Sequence, residues 1–213
     1  MPLPGSRRRD ARLKPGAAAD FATRLETLYT SFDHVDSASD PVHIVRRYKT
    51  NEDREIVGFC AAALAFGRVA SVLQSIEALL EVMGPHPAAF VRGFKPVRDS
   101  RRIEPLVHRW IRGRDLVALL IVLRRMLREA GSIEEFFVQG DDPASPDIGP
   151  ALDAFSERAL QTNLREVYGT AVPTRAGVCY FFPRPSGGSA CKRLNLFLRW
   201  MVLPRGLLYD QKC

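Results

Sequence analysis

Cysteine is scarce in this chain, and its placement links nothing. Four of the 213 residues are cysteine, at positions 60, 179, 191 and 213, with no Cys-x-x-Cys pair and no metal-ligand spacing. Free thiols in a reducing, cytoplasmic setting are therefore expected, and neither a metal site nor a cofactor. Long apolar runs are missing as well. The longest, Leu116 to Leu123, falls far short of the roughly twenty residues that cross a bilayer, so no membrane partner is expected. The arginines near the N-terminus are followed by no apolar stretch, which speaks against a secretory signal. No alternating apolar–polar segment is long enough for a sheet, and no internal repeat stands out. His34, His43, His86 and His108 share no mutual spacing and carry no assignment.

What remains is a helical sequence. With 46% hydrophobic and 26% charged residues, the chain can bury one good core. Residues 1–17, rich in Arg, Pro, Gly and Ala, read as a flexible basic tail, and residues 18–213 as a single helical domain. Phe21, Leu25, Leu28 and Phe32 form one stripe, and Asp40-Pro41 opens a short helix to Tyr48. Thr50 with Asp53 is a capping pattern ahead of a buried helix that stops at Gly67. The next helix runs from Val69 to Met83, with Val69, Val72, Leu73, Ile76, Leu79, Leu80 and Met83 inward. Asp115 to Ala130 is strongly apolar, Ser132 with Glu135 caps a helix through Val138, and another helix spans 151–160. Residues 162–188 hold so many Gly and Pro that regular structure is not expected there. The fold class is all-α, a compact helical bundle.

Charge is unevenly placed within the overall +7. The chain carries net +8 over residues 92–128 and +5 over 183–205, against −4 over 17–91 and −6 over 129–182. Basic blocks of this kind suit a polyanion, because each neutralised phosphate releases counterions. The same arginines could instead solvate helix faces and pair with the acidic segments. If they converge, Arg98, Arg102, Arg109 and Arg193 should share one face.

The run Ser186-Gly187-Gly188-Ser189-Ala190-Cys191-Lys192-Arg193-Leu194-Asn195-Leu196-Phe197-Leu198-Arg199-Trp200-Met201 places a glycine–serine turn before a basic, amphipathic helix. Leu194, Phe197, Leu198 and Met201 can face a core while Lys192, Arg193 and Arg199 stay polar-side. Such a turn is expected to leave backbone N–H groups free at a positive helix end, where a phosphate would fit. Together with Asn51 to Phe59 and Cys60 to Val69, this run resembles a bacterial family known as domain of unknown function number twenty-four hundred, over roughly Asp40 to Val202.

That family is in turn similar to the helix-hairpin-helix DNA glycosylases. The resemblance implies part of that fold, with Gly188 to Lys192 standing for the hairpin and Lys192 for the amine nucleophile. A Pro-Leu-Asp-x-His segment that it also implies is not found after Val202, where the chain diverges at Leu203-Pro204-Arg205 and Asp210 has neither the context nor the distance to replace it. On that reading the C-terminal helices are missing and base excision is disabled.

Two further groups carry chemistry of their own. Asp53 and Glu55, with Arg54 between them, could do acid–base work, but acids in a first helical turn more simply complement the macrodipole. Tyr180-Phe181-Phe182-Pro183-Arg184-Pro185, aromatic and basic residues ahead of the glycine–serine turn, could wedge a duplex or stack on an unstacked base, or plug a loop onto the core. The expected function is nucleic-acid binding, of DNA in the first place, through Gly187, Gly188, Ser189, Lys192, Arg193, Arg199, Arg98, Arg102 and Arg109. The alternative is a non-enzymatic interaction protein or a vestigial one whose basic surface meets acidic partners.

Overall fold

The computed structural model of the chain describes residues 20–27 and 40–202. The chain divides into two units, Met1–Ser37 and Ala38–Cys213. In the first, residues 20–27 are helical, with Arg24 paired to Asp20 at 3.0 Å and Phe21 and Leu25 exposed. The basic tail and the stripe partners Leu28 and Phe32 lie outside the described residues.

Among its described residues the second unit is all-α apart from one minimal hairpin. Its elements are α1 (Val42–Arg46), α2 (Asn51–Leu64), α3 (Val69–Met83), α4 (Pro87–Arg92), α5 (Pro96–Ile103), β1 (Val107–His108), β2 (Ile111–Arg112), α6 (Gly113–Ala130), α7 (Ile133–Val138), α8 (Gly149–Leu160), α9 (Arg165–Tyr168), α10 (Gly177–Phe181), a 3-10 turn (Pro185–Gly187) and α11 (Lys192–Val202). Prolines open α4 and α5, where a missing N–H costs nothing and φ is already helical.

Two helices form the centre. From Ile56 to Leu64 every residue of α2 is buried, because α11, α1, α4, α3 and α7 all pack on it. Gly58 faces α11 in this packing: a Cβ there would stand 2.9 Å from Met201 Cε and 3.6 Å from the Phe197 ring. The second centre is α6, buried along Leu116–Leu123 and packed by α5, α7, α10 and α4. It starts under a tight crossing, since a Cβ on Gly113 would lie 2.3 Å from the carbonyl oxygen of Ile103.

Several expectations change in the folded chain. Val69 is exposed, because α3 begins beyond the packed part of its stripe. In α11 it is Trp200, with Leu194 and Phe197, that is buried, while Leu198 and Met201 are half-buried. The breaker-rich stretch 162–188 does hold regular structure in short pieces, α9, α10 and the 3-10 turn. The reason is tertiary: Asp115, at the start of α6, accepts hydrogen bonds from Gly177 N (3.0 Å) and Tyr168 Oη (2.7 Å).

The acids of α2 serve the scaffold. Thr50 Oγ1 accepts from Asp53 N at 3.2 Å and donates to Asp53 Oδ2 at 2.8 Å. The other carboxylate oxygen accepts from Ala88 N at 2.9 Å, tying α4 to α2. Glu55 is buried and accepts from Ile133 N (3.0 Å) and Glu134 N (3.2 Å), so it closes the start of α7. Burial pushes the Glu55 carboxyl above its usual range, opposed by those two N–H groups. Both acids thus act as caps, Asp53 at the start of α2 and of α4, and Glu55 at the start of α7 and not of its own helix.

Candidate functional site

The C-terminal end of α2 and three distant segments meet in a cluster of rings and arginines. After Leu64 the chain turns through Phe66 and Gly67, whose φ of +105° lies in the region that favours glycine. The β1–β2 hairpin brings His108, Arg109 and Trp110 against this turn. His108 bridges Phe66 O at Nε2 and Ser75 Oγ at Nδ1, both at 2.9 Å. Tyr180 arrives on α10, held by the Gly177–Asp115 bond, and Arg193 on the first turn of α11.

The rings touch in sequence. Phe66 lies 4.7 Å from Trp110, 5.1 Å from Tyr180 and 4.5 Å from His108 between centroids, and Trp110 is 5.2 Å from Tyr180. The Arg193 guanidinium covers Tyr180 at 3.6 Å and reaches Phe66 at 5.5 Å, and Arg109 lies 5.3 Å over Trp110. Stacking on a ring face leaves a guanidinium's in-plane donors free for an anion. Arg193 gives one of them to Tyr180 O at 2.8 Å, and its buried Nε has no partner. Among the described residues no carboxylate lies within ion-pair distance of Arg193 or Arg109.

The glycine–serine turn is built differently from the sequence-based expectation. Ser186 gives its N–H (3.1 Å) and its hydroxyl (2.8 Å) to Asp153 Oδ1 on α8. Gly187 N, Gly188 N and Ser189 N bond to Arg184 O, Pro185 O and Arg184 O, and Cys191 N to Ser189 Oγ. The amides of Ser186 to Ser189 and of Cys191 are thus bonded within the chain, and Asp153 takes the N–H and hydroxyl of Ser186. Gly188 is required for the left-handed residue of the turn, φ +79°. Lys192 and Arg199 are exposed on α11.

Of the arginines expected to converge, Arg109 and Arg193 meet at the ring cluster. Arg98 and Arg102 sit on α5 and add no ring contact to it among the described residues. Arg98 is held by Asp99 at 2.6 and 2.8 Å, and this bidentate pairing keeps the Asp99 carboxyl below its usual range. Much of the remaining basic series staples the scaffold. Arg92 pairs with Glu52 at 3.2 Å, Arg124 donates to Phe94 O, and Arg125 joins Glu129 and Arg158 O.

The aromatics of Tyr180-Phe181-Phe182 part company in the fold. Phe181 and Phe182 are core, the latter stacked on Phe59 at 5.5 Å, and Tyr180 alone joins the cluster. Sequence reasoning missed Phe66, His108 and Trp110. Their signal was weak, an aromatic before Gly67 and a His-Arg-Trp run between two short apolar stretches.

His108 gives the cluster a pH-dependent anchor. Burial pushes its imidazole below the ordinary value of 6.5, the Phe66 carbonyl opposing this and Arg109 adding to it. The unfolded chain then takes up a proton first as pH falls, so the anchored state's stability is present above about 6.5 and is lost as pH falls through the lowered value. The urea midpoint is expected to drop on acidification to about pH 5, and His108→Gln to reduce that drop. An unchanged pH profile in the variant would show that His108 does not carry it.

The fold and site define a helical protein with an arginine–aromatic cluster at one helix end and no cluster of potential metal ligands among the described residues. The chain belongs to the family described as "Protein of unknown function (DUF2400)", which matches residues 40–206. No curated protein and no solved structure matches it. The cluster lies inside the matched region. A separate open groove of about 630 Å³ is lined by Tyr48, Gln74, Glu77, Ala78, Leu80, Glu81 and Gly84, and its glutamates give it the wrong sign for a polyanion.

Proposed function

We propose that this protein binds nucleic acid at the surface around Arg109 and Arg193, as a glycosylase-like domain without base-excising activity. One observation carries the reading: Arg193 is half-buried, stacked on Tyr180, and faces no carboxylate among the described residues. A partly desolvated cation is normally paired, and an unpaired one is relieved by an incoming anion. Arg109 beside it, with the exposed Arg68, Arg112 and Lys192 on the adjoining segments, favours a phosphate backbone over a single small anion. The resemblance to helix-hairpin-helix glycosylases supports the choice of DNA. Lys192 would be their amine nucleophile, yet no carboxylate pairs with it among the described residues, and Asp53 and Glu55 are both engaged by backbone N–H groups. Base release needs a second group to complement the amine.

The test is fluorescence anisotropy with labelled DNA at several salt concentrations. Affinity is expected to fall steeply with salt, and Arg109→Ala or Arg193→Ala to lower the logarithmic slope by about one each. Lys192→Ala should cost no more than one phosphate contact, and borohydride should trap no covalent complex with lesion-bearing DNA. Salt-independent binding, or none, overturns the proposal, and efficient trapping abolished by Lys192→Ala overturns its non-catalytic half.

A further inference from the structure

We infer that Trp110 stacks on an unstacked nucleobase, so that the interface prefers single-stranded to duplex nucleic acid; this rests on the nucleic-acid reading above. The β1–β2 hairpin pairs His108 with Ile111, so its tip is Arg109 and Trp110 alone. Arg109 has a φ of +55°, a left-handed conformation that a side-chain-bearing residue adopts at a cost. Two features hold it there. Behind it, buried His108 is fixed at both ring nitrogens. Beneath it lies Gly67, where a Cβ would stand 3.1 Å from Arg109 Nη1 and 3.2 Å from its Cδ. The tip is therefore held in place by its surroundings and is not a loose loop.

Among the rings of the cluster, Trp110 is the most exposed. Tyr180 is covered by the Arg193 guanidinium, and Phe66 is closed in by His108, Trp110 and Tyr180. Trp110 remains 49% exposed even with Phe66 behind it at 4.7 Å, and the Arg109 guanidinium stands off its ring at 5.3 Å, wider than the 3.6 Å of Arg193 on Tyr180. A rigid exposed indole with a cation beside it is the arrangement on which single-stranded bases stack, every base offering a π-face while the cation takes its phosphate. A base within a duplex has both faces covered by its neighbours, so the indole gains a partner only where a base is already free.

The experiment compares oligothymidylate with a duplex of equal length, for the full chain and for Trp110→Ala and Trp110→Phe. The single strand is expected to bind more tightly and to quench tryptophan emission. The chain's other tryptophan, Trp200, is buried, so the quench reports Trp110. Trp110→Ala should lose about tenfold in affinity for the single strand, abolish the quench and leave the salt slope unchanged, and Trp110→Phe should retain most of the affinity. Equal loss for strand and duplex, or no loss with salt-dependent binding intact, overturns the stacking role and leaves the nucleic-acid reading standing. Binding to neither ligand, or competition by poly-glutamate as effective as by an oligonucleotide, overturns both.

Discussion

Asp115→Ala is expected to destabilise the protein by ~4 kcal/mol, because it strands three donors at once. The Asp115 side chain is 3% exposed and accepts from Arg112 N at 2.9 Å, Gly177 N at 3.0 Å and Tyr168 Oη at 2.7 Å. Burial and the carboxylate together push the Tyr168 hydroxyl far above its ordinary value, so it stays a donor at any physiological pH. Each donor left dry costs ~1–3 kcal/mol, and the penalties overlap because the three share one acceptor. Relaxation cannot refill the site cheaply, since Gly177 already sits so close that a Cβ would lie 2.5 Å from Asp115 Cγ. Asp115→Asn keeps one carbonyl acceptor and should cost about half as much. Urea unfolding of the two variants measures both values. An alanine variant with an unchanged midpoint would show that α9 and α10 are held by something other than this carboxylate.

The same residue explains what the sequence did and did not reveal. Helices with a long apolar stripe and a side-chain cap were legible: Thr50 before α2 and Ser132 before α7 accept the N–H groups their spacing announces. The hairpin and the short helices α9 and α10 were not, because two-residue strands and four- or five-residue helices have no period of their own. They are anchored by tertiary bonds of Asp115 and His108, whose partners lie 62 and 42 positions away. The candidate site follows the same division. Arg193 was legible from its basic helix start and Arg109 from the basic block, whereas their meeting on Phe66, Trp110 and Tyr180 joins segments that no local pattern links. The glycine–serine turn shows a related limit: its composition announces free amides, and only the packing of α8 beside it brings the Asp153 carboxylate to Ser186.

Phe59→Ala is expected to cost ~4 kcal/mol and, unlike Arg193→Ala, to leave the affinity of the folded protein for nucleic acid unchanged. The Phe59 ring is fully buried at the middle of α2 and meets Phe197 at 5.2 Å, Phe182 at 5.5 Å and Phe155 at 6.2 Å. Those three rings come from α11, from the segment before the 3-10 turn and from α8, so one side chain joins the elements on either side of the cluster. Removing it leaves a void walled by rigid aromatics that cannot collapse into it, the condition under which truncation costs most. Local bonds nevertheless still place Arg193: its guanidinium is fixed to Tyr180 O, and the turn ahead of it is fixed through Pro183 O, which accepts from Ser156 Oγ at 2.9 Å. Stability and binding should therefore separate, with Phe59→Ala lowering the unfolding midpoint alone and Arg193→Ala lowering mainly the affinity. A Phe59→Ala protein that is folded at low temperature yet binds weakly would mean that the cluster's geometry is set by the core and not by the hydrogen bonds at its edge.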